Sequence, residues 1–151
     1  MKTYTDCICL TKDDFDQAGF YNGPFDVSNL INCDVEIAEC LGTVTFPKPV
    51  DANDKGGLCT TGRINVGRET EIRVNGPLYA KSLIADSVYV THEIGVGSLK
   101  IRGNLTCEMQ VQVVKSFYVG GQIITPKLVL SSFEIQMPQR YRQETPIPKK
   151  G

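Results

Sequence analysis

Few residues in this chain have both the type and the spacing for chemistry. The single histidine is His92, in Val90-Thr91-His92-Glu93-Ile94. A catalytic histidine needs a nucleophile or carboxylate within hydrogen-bond reach. Glu93 is adjacent, but in extended chain it points to the opposite side, so His92 reads as a solvated corner residue. Asp13, Asp14 and Asp16 are dense enough to suggest calcium. The glycine and distant glutamate of an EF-hand loop are missing, and a charged cap is the better reading. Gly95-Val96-Gly97 lacks the strand-to-helix setting and the third glycine of a phosphate-binding loop. HExxH, GxSxG and CxxC motifs do not occur. The six cysteines (Cys7, Cys9, Cys33, Cys40, Cys59, Cys107) form one CxC pair and scattered singles rather than two CxxC knuckles. They read as small buried hydrophobes in a reducing compartment, with zinc as the sharper alternative. The sequence therefore assigns no catalytic, cofactor-binding or metal residue, and the expectation is a protein that is not an enzyme.

The remaining signal is aromatic. Where Leu78 and Ala80 face inward, Tyr79 faces out, and the same alternation turns Tyr89 and Tyr118 outward. On neighbouring coils such residues would make a stripe suited to protein contact, because tyrosine is enriched at interfaces. Strand propensity accounts for them equally well. Arg140 and Arg142, near the C-terminus, complete the candidate contact residues.

The elements that carry these residues announce themselves by period. From Ile64 to Ile135 the apolar residues come in pairs two apart, such as Leu78/Ala80, Leu83/Ala85, Val88/Val90, Ile94/Val96, Leu99/Ile101 and Leu105/Cys107. Successive pairs step by five or six residues, with Gly, Ser, Asn, Asp, Lys or Thr between them, which suit corners. A helix fails, because the apolar positions do not recur at three and four. Hairpins fail too, because they need longer strands and wider turn spacing. Three such strands make a coil of roughly 16 to 17 residues, and stacked coils bury one shared apolar axis. The expected fold is an all-β, single-stranded β-solenoid with three short strands per coil.

Asn22-Gly23-Pro24 and Asn75-Gly76-Pro77 open two similar stretches, 22–37 and 75–90, and a weaker copy runs over 120–135. Fixed-period self-similarity marks a stacked repeat. The domain is expected over 1–137, with an acidic cap at 1–21 and a protruding loop at 47–60 rich in Pro, Gly and Asp. Residues 138–151 read as a flexible Pro-rich tail with four cations against one anion.

With 151 residues, 41% hydrophobic and 22% charged, the chain is long enough for one core and too apolar for bulk disorder. A net charge of −1 argues against a nucleic-acid partner. The lack of an apolar run of membrane-spanning length and of a signal peptide gives a cytoplasmic expectation. Membrane contact is left only to the basic tail.

Gly76-Pro77-Leu78-Tyr79-Ala80-Lys81-Ser82-Leu83, Gly103-Asn104-Leu105-Thr106-Cys107 and Gly121-Gln122-Ile123-Ile124-Thr125-Pro126-Lys127-Leu128 resemble the repeat of bactofilins over residues 61–135. The resemblance implies a bacterial polymer-forming protein with a right-handed β-helix that stacks end to end through apolar contacts. Two features depart from that family: the loop at 47–60 and the capped N-terminus, which would block stacking. Left-handed hexapeptide acyltransferases have a strict hexad that this chain lacks, and polysaccharide-cleaving β-helices carry outward acidic clusters that it also lacks. The functional expectation is a non-enzymatic scaffold whose partner is itself. The alternative is a protein-binding adaptor or inhibitor, for example a toxin-neutralising immunity protein or a phage-associated protein.

Overall fold

The computed structural model describes residues 7–48, 56–131, 134–136 and 140–142, the last two segments as backbone. It is a β-solenoid of stacked parallel coils, and every strand ladder in it is parallel.

The strands lie on three faces. Face one carries β4 (Leu58–Cys59), the first halves of β7 (Leu78–Ala85), β9 (Glu93–Ile101) and β11 (Gln110–Val119), and β13 (Leu128–Leu130). Face two carries β1 (Cys7–Leu10), β2 (Asp34–Ile37), β5 (Arg63–Val66), the second halves of β7, β9 and β11, and β14 (Glu134–Gln136). Face three carries β3 (Gly42–Phe46), β6 (Thr70–Val74), β8 (Ser87–Val90), β10 (Leu105–Cys107), β12 (Gln122–Ile124) and β15 (Arg140–Arg142). The corner between faces one and two is shallow enough for β7, β9 and β11 to run round it unbroken, so those faces join as one sheet.

The period-two pattern explains the core. Leu78 pairs with Ile94 and Ile94 with Val111; Leu83 pairs with Leu99 and Leu99 with Phe117; Val88 pairs with Leu105 and Leu105 with Ile123. All of these side chains are buried, so like stacks on like along the axis. Partners lie 16 residues apart at Leu78↔Ile94 and 18 at Leu99↔Phe117, close to the expected coil.

Earlier coils are longer. Val35 pairs with Ile64, 29 residues on, and Ile8 with Val35, 27 on. The extra chain sits in the corners, which is why the five-to-six-residue rhythm fades before Ile64. Two sequence copies also shift phase. Val35 and Ile37 stack under Ile64 and Val66 on face two, whereas their matched residues Val88 and Val90 lie on face three. The self-similar unit is thus one strand with its corner, not one coil.

Three boundaries differ from expectation. The loop is shorter than 47–60, because Leu58–Cys59 is a strand, Leu58 is buried and Thr60 bridges to Leu30; its central residues 49–55 lie outside the described ones. The cap is not the whole of 1–21, because Cys7–Leu10 forms a ladder rung with Ile8 and Leu10 buried. The tail does not begin at 138, because Arg140–Arg142 pairs with β12 in register Gln122↔Arg140.

The capping part is the segment after β1. A 3-10 turn at Lys12–Asp14 is closed by a capping box on Thr11, whose N–H donates to Asp14 Oδ2 at 2.8 Å. Asp16 Oδ1 accepts from the N–H groups of Ala18 (2.9 Å) and Phe20 (2.8 Å). Those carboxylates serve the backbone of the cap, as a charged cap requires. Phe15 and Tyr21 then pack on Phe46, with ring centroids 5.8 and 5.3 Å from it, and plug that end of the core.

Candidate functional site

The three outward tyrosines lie on three different faces: Tyr79 on face one, Tyr118 on face two and Tyr89 on face three. A single aromatic stripe is therefore not formed. The five-to-six-residue step that places each of them outward also turns the chain to a new face before the next. Tyr79 is 39% exposed, Tyr118 40%, and Tyr89 is half-buried.

Tyr79 and Tyr89 have local work. The Tyr79 ring lies across Gly95, its register partner, where an added Cβ would come within 2.8 Å of the ring. It covers the gap that a glycine leaves in a sheet. Its hydroxyl donates to the Glu93 carboxylate. Burial first, then that hydrogen bond and the charges of Glu93 and Cys59, push the phenol up to about 12. Tyr89 donates to the Glu108 carboxylate and sits under the Arg73 guanidinium, 4.8 Å from its ring centroid. Tyr118 lies level with Lys100 and Gln136.

Arg140 and Arg142 occupy face three beside Gln122 and Ile124, in the last rung rather than in a tail. The other C-terminal cations, Lys149 and Lys150, lie outside the described residues. His92 is an exposed corner residue whose Nδ1 lies 2.9 Å from Thr91 Oγ1. At the corner between faces two and three, Asp86 accepts from the Glu69 N–H at 2.7 Å and pairs with Arg102. Those two contacts, in that order, hold its carboxyl below the usual range.

The ends of the stack differ from its sides. At the N-terminal end β1 is paired on one side only among the described residues, with β2. The segment 11–21 covers the edge of face three there, where Tyr21 N–H donates to the Thr45 C=O at 2.8 Å and Thr45 N–H donates to the Gly19 C=O at 2.7 Å. It does not pair with β1. Two apolar side chains of the first coil are exposed, Phe20 at 42% and Ile31 at 44%. At the other end β13, β14 and β15 form the last rung among the described residues, and Leu128 and Leu130 are only half-buried.

The cysteines divide unexpectedly. Cys33 and Cys107 are buried as small hydrophobes, Cys59 is intermediate, and Cys7, Cys9 and Cys40 are exposed. In β1 the inward places belong to Ile8 and Leu10, which sends both members of the CxC pair outward. The register then sets Cys7 against Asp34 and Cys9 against Glu36. The two sulfurs lie 3.9 Å apart, and the ligand atoms of Cys7, Cys9 and Glu36 all fall within 4.8 Å of one another. Sequence reading missed this group, because Glu36 is 27 residues from Cys9 and only the ladder joins them. Its one visible signal was the matched alternation of Cys7-Ile8-Cys9 and Asp34-Val35-Glu36.

Comparison with family models, curated proteins and solved structures returns no match for this chain.

Proposed function

We propose that this chain is a non-enzymatic structural protein, akin to bactofilins in its mode of action, that assembles in the cytoplasm by stacking copies end to end. The observation that carries the reading is the pair of end rungs. β1 and β14 lie on the same face and run in the same direction, at opposite ends of one parallel stack. A second copy set head to tail would continue the ladder, pairing edge groups that have no strand partner among the described residues. Exposed Phe20 and Ile31 add apolar area at one end, and half-buried Leu128 and Leu130 at the other. The cap bridges to face three and its aromatics plug the core, but β1 on face two has no strand partner beyond β2 among the described residues, so the cap narrows the contact without abolishing it.

The test is sedimentation velocity with negative-stain microscopy on the full chain across concentration and salt. Concentration-dependent oligomers or filaments are expected. Phe20→Lys and Ile31→Lys, both at exposed positions, should shift the distribution to monomer with unchanged circular dichroism. Monomer at every concentration would overturn the reading.

The alternative, a protein-binding adaptor or inhibitor, draws on exposed Tyr79 and Tyr118. They lie on faces one and two, which join as one sheet. One stoichiometric foreign partner recovered from native lysate, with no self-association, would favour it.

A further inference from the structure

We infer that Cys7, Cys9 and Glu36 form a binding site for a thiophilic divalent cation, zinc above all, on the terminal strand of the stack. The geometry is close to that of the loaded site. Zinc–sulfur bonds of about 2.3 Å at a tetrahedral angle set two thiolates about 3.8 Å apart. The two sulfurs already stand 3.9 Å apart, on one face of one strand. Glu36 brings a carboxylate oxygen within 4.8 Å of both, a gap that its exposed side chain closes by rotation.

Asp34, the neighbour of Cys7, is partly engaged, since its Oδ1 accepts the Arg63 N–H at 2.8 Å. Glu36 is the freer carboxylate and the better third ligand. The fourth position faces solvent and suits water. Two sulfur donors select soft or borderline cations over magnesium and calcium, which take oxygen.

The alternative fate of two adjacent thiols is a disulfide. Residues two apart on a strand stand about 6.6 Å apart at Cα, near the upper limit that a disulfide spans. A bridging cation needs no such contraction. On binding, two S–H bonds give way to two S–Zn bonds, two protons leave to solvent, and no electron changes hands.

The experiment uses the full chain, reduced and freed of metal, titrated with Co²⁺ and with Zn²⁺ against a chromophoric chelator. One equivalent should bind, with a thiolate-to-cobalt charge-transfer band in the near ultraviolet. The double variant Cys7→Ser/Cys9→Ser should lose the band and the tight site. Glu36→Gln should keep the band and weaken zinc binding roughly tenfold to hundredfold. Cys40→Ser should change neither, because Cys40 is exposed elsewhere, bonded to Glu69. Circular dichroism confirms that each variant folds; should the double variant not fold, Glu36→Gln decides. The inference falls if the reduced chain shows no charge-transfer band, if the band survives in Cys7→Ser/Cys9→Ser, or if Glu36→Gln binds zinc as tightly as the native chain. None of these readouts depends on whether copies of the chain assemble.

Discussion

Thr70 and Thr60 stand where apolar residues would be expected, and both are buried. Their hydroxyls explain it. Thr70 Oγ1 donates to the Ala38 carbonyl at 2.8 Å and accepts from the Leu41 N–H at 3.0 Å. Thr60 does the same for the Cys33 carbonyl and the Gly62 N–H. Each satisfies two backbone groups at a corner that the ladder cannot reach. Thr70→Val keeps the shape and removes the bonds. It should cost about 1–3 kcal/mol, because two polar groups are left unpaired. Urea unfolding followed by circular dichroism measures this; an unchanged midpoint would show that water replaces the hydroxyl. A buried threonine among apolar neighbours is thus a corner fastener.

Strands β7, β9 and β11 carry the fold at the next scale. Each turns from face one to face two where the register skips, at Lys81 in β7, Gly97 in β9 and Val114-Lys115 in β11. An added Cβ at Gly97 would come within 2.6 Å of the Lys81 carbonyl oxygen in the coil below. The inward residues of these strands form continuous columns, with Leu83, Leu99 and Phe117 stacked at 0%, 2% and 2% exposure. Phe117→Ala should therefore cost about 3–5 kcal/mol, transfer and cavity together. Its neighbour Tyr118, 40% exposed, should lose about 0.5 kcal/mol or less on change to Ala. Guanidinium denaturation of both variants checks the pair, and equal losses would contradict the inward–outward assignment.

At the scale of the molecule each coil touches only its neighbours, so the stack is as strong as its ends are protected. Residues 138–151 bear on this. As a free tail they could be removed at no cost. With Arg140–Arg142 laid along β12, their removal bares the edge of Gln122–Ile124. A chain ending at Met137 should melt lower than the full chain, and an equal melting temperature would return the segment to a tail.

The sequence by itself determined the strand. Pairs of apolar residues two apart, joined by small and polar corner residues, permit nothing but short two-sided strands, and a chain dense in them must wind to bury one face. That pattern is local, so it is legible wherever the corners are short, from Ile64 to Leu130. What only the tertiary structure decided is which residues share a face and which meet across coils. Long corners add or remove chain without disturbing the two-residue alternation, so phase is lost: Val35 stacks beneath Leu83's column rather than Val88's, and three outward tyrosines part onto three faces. The same physics hid the Cys7–Cys9–Glu36 group. Alternation points each side chain outward, but only the hydrogen-bonded register, set by coils of unequal length, brings two thiols and a distant carboxylate together.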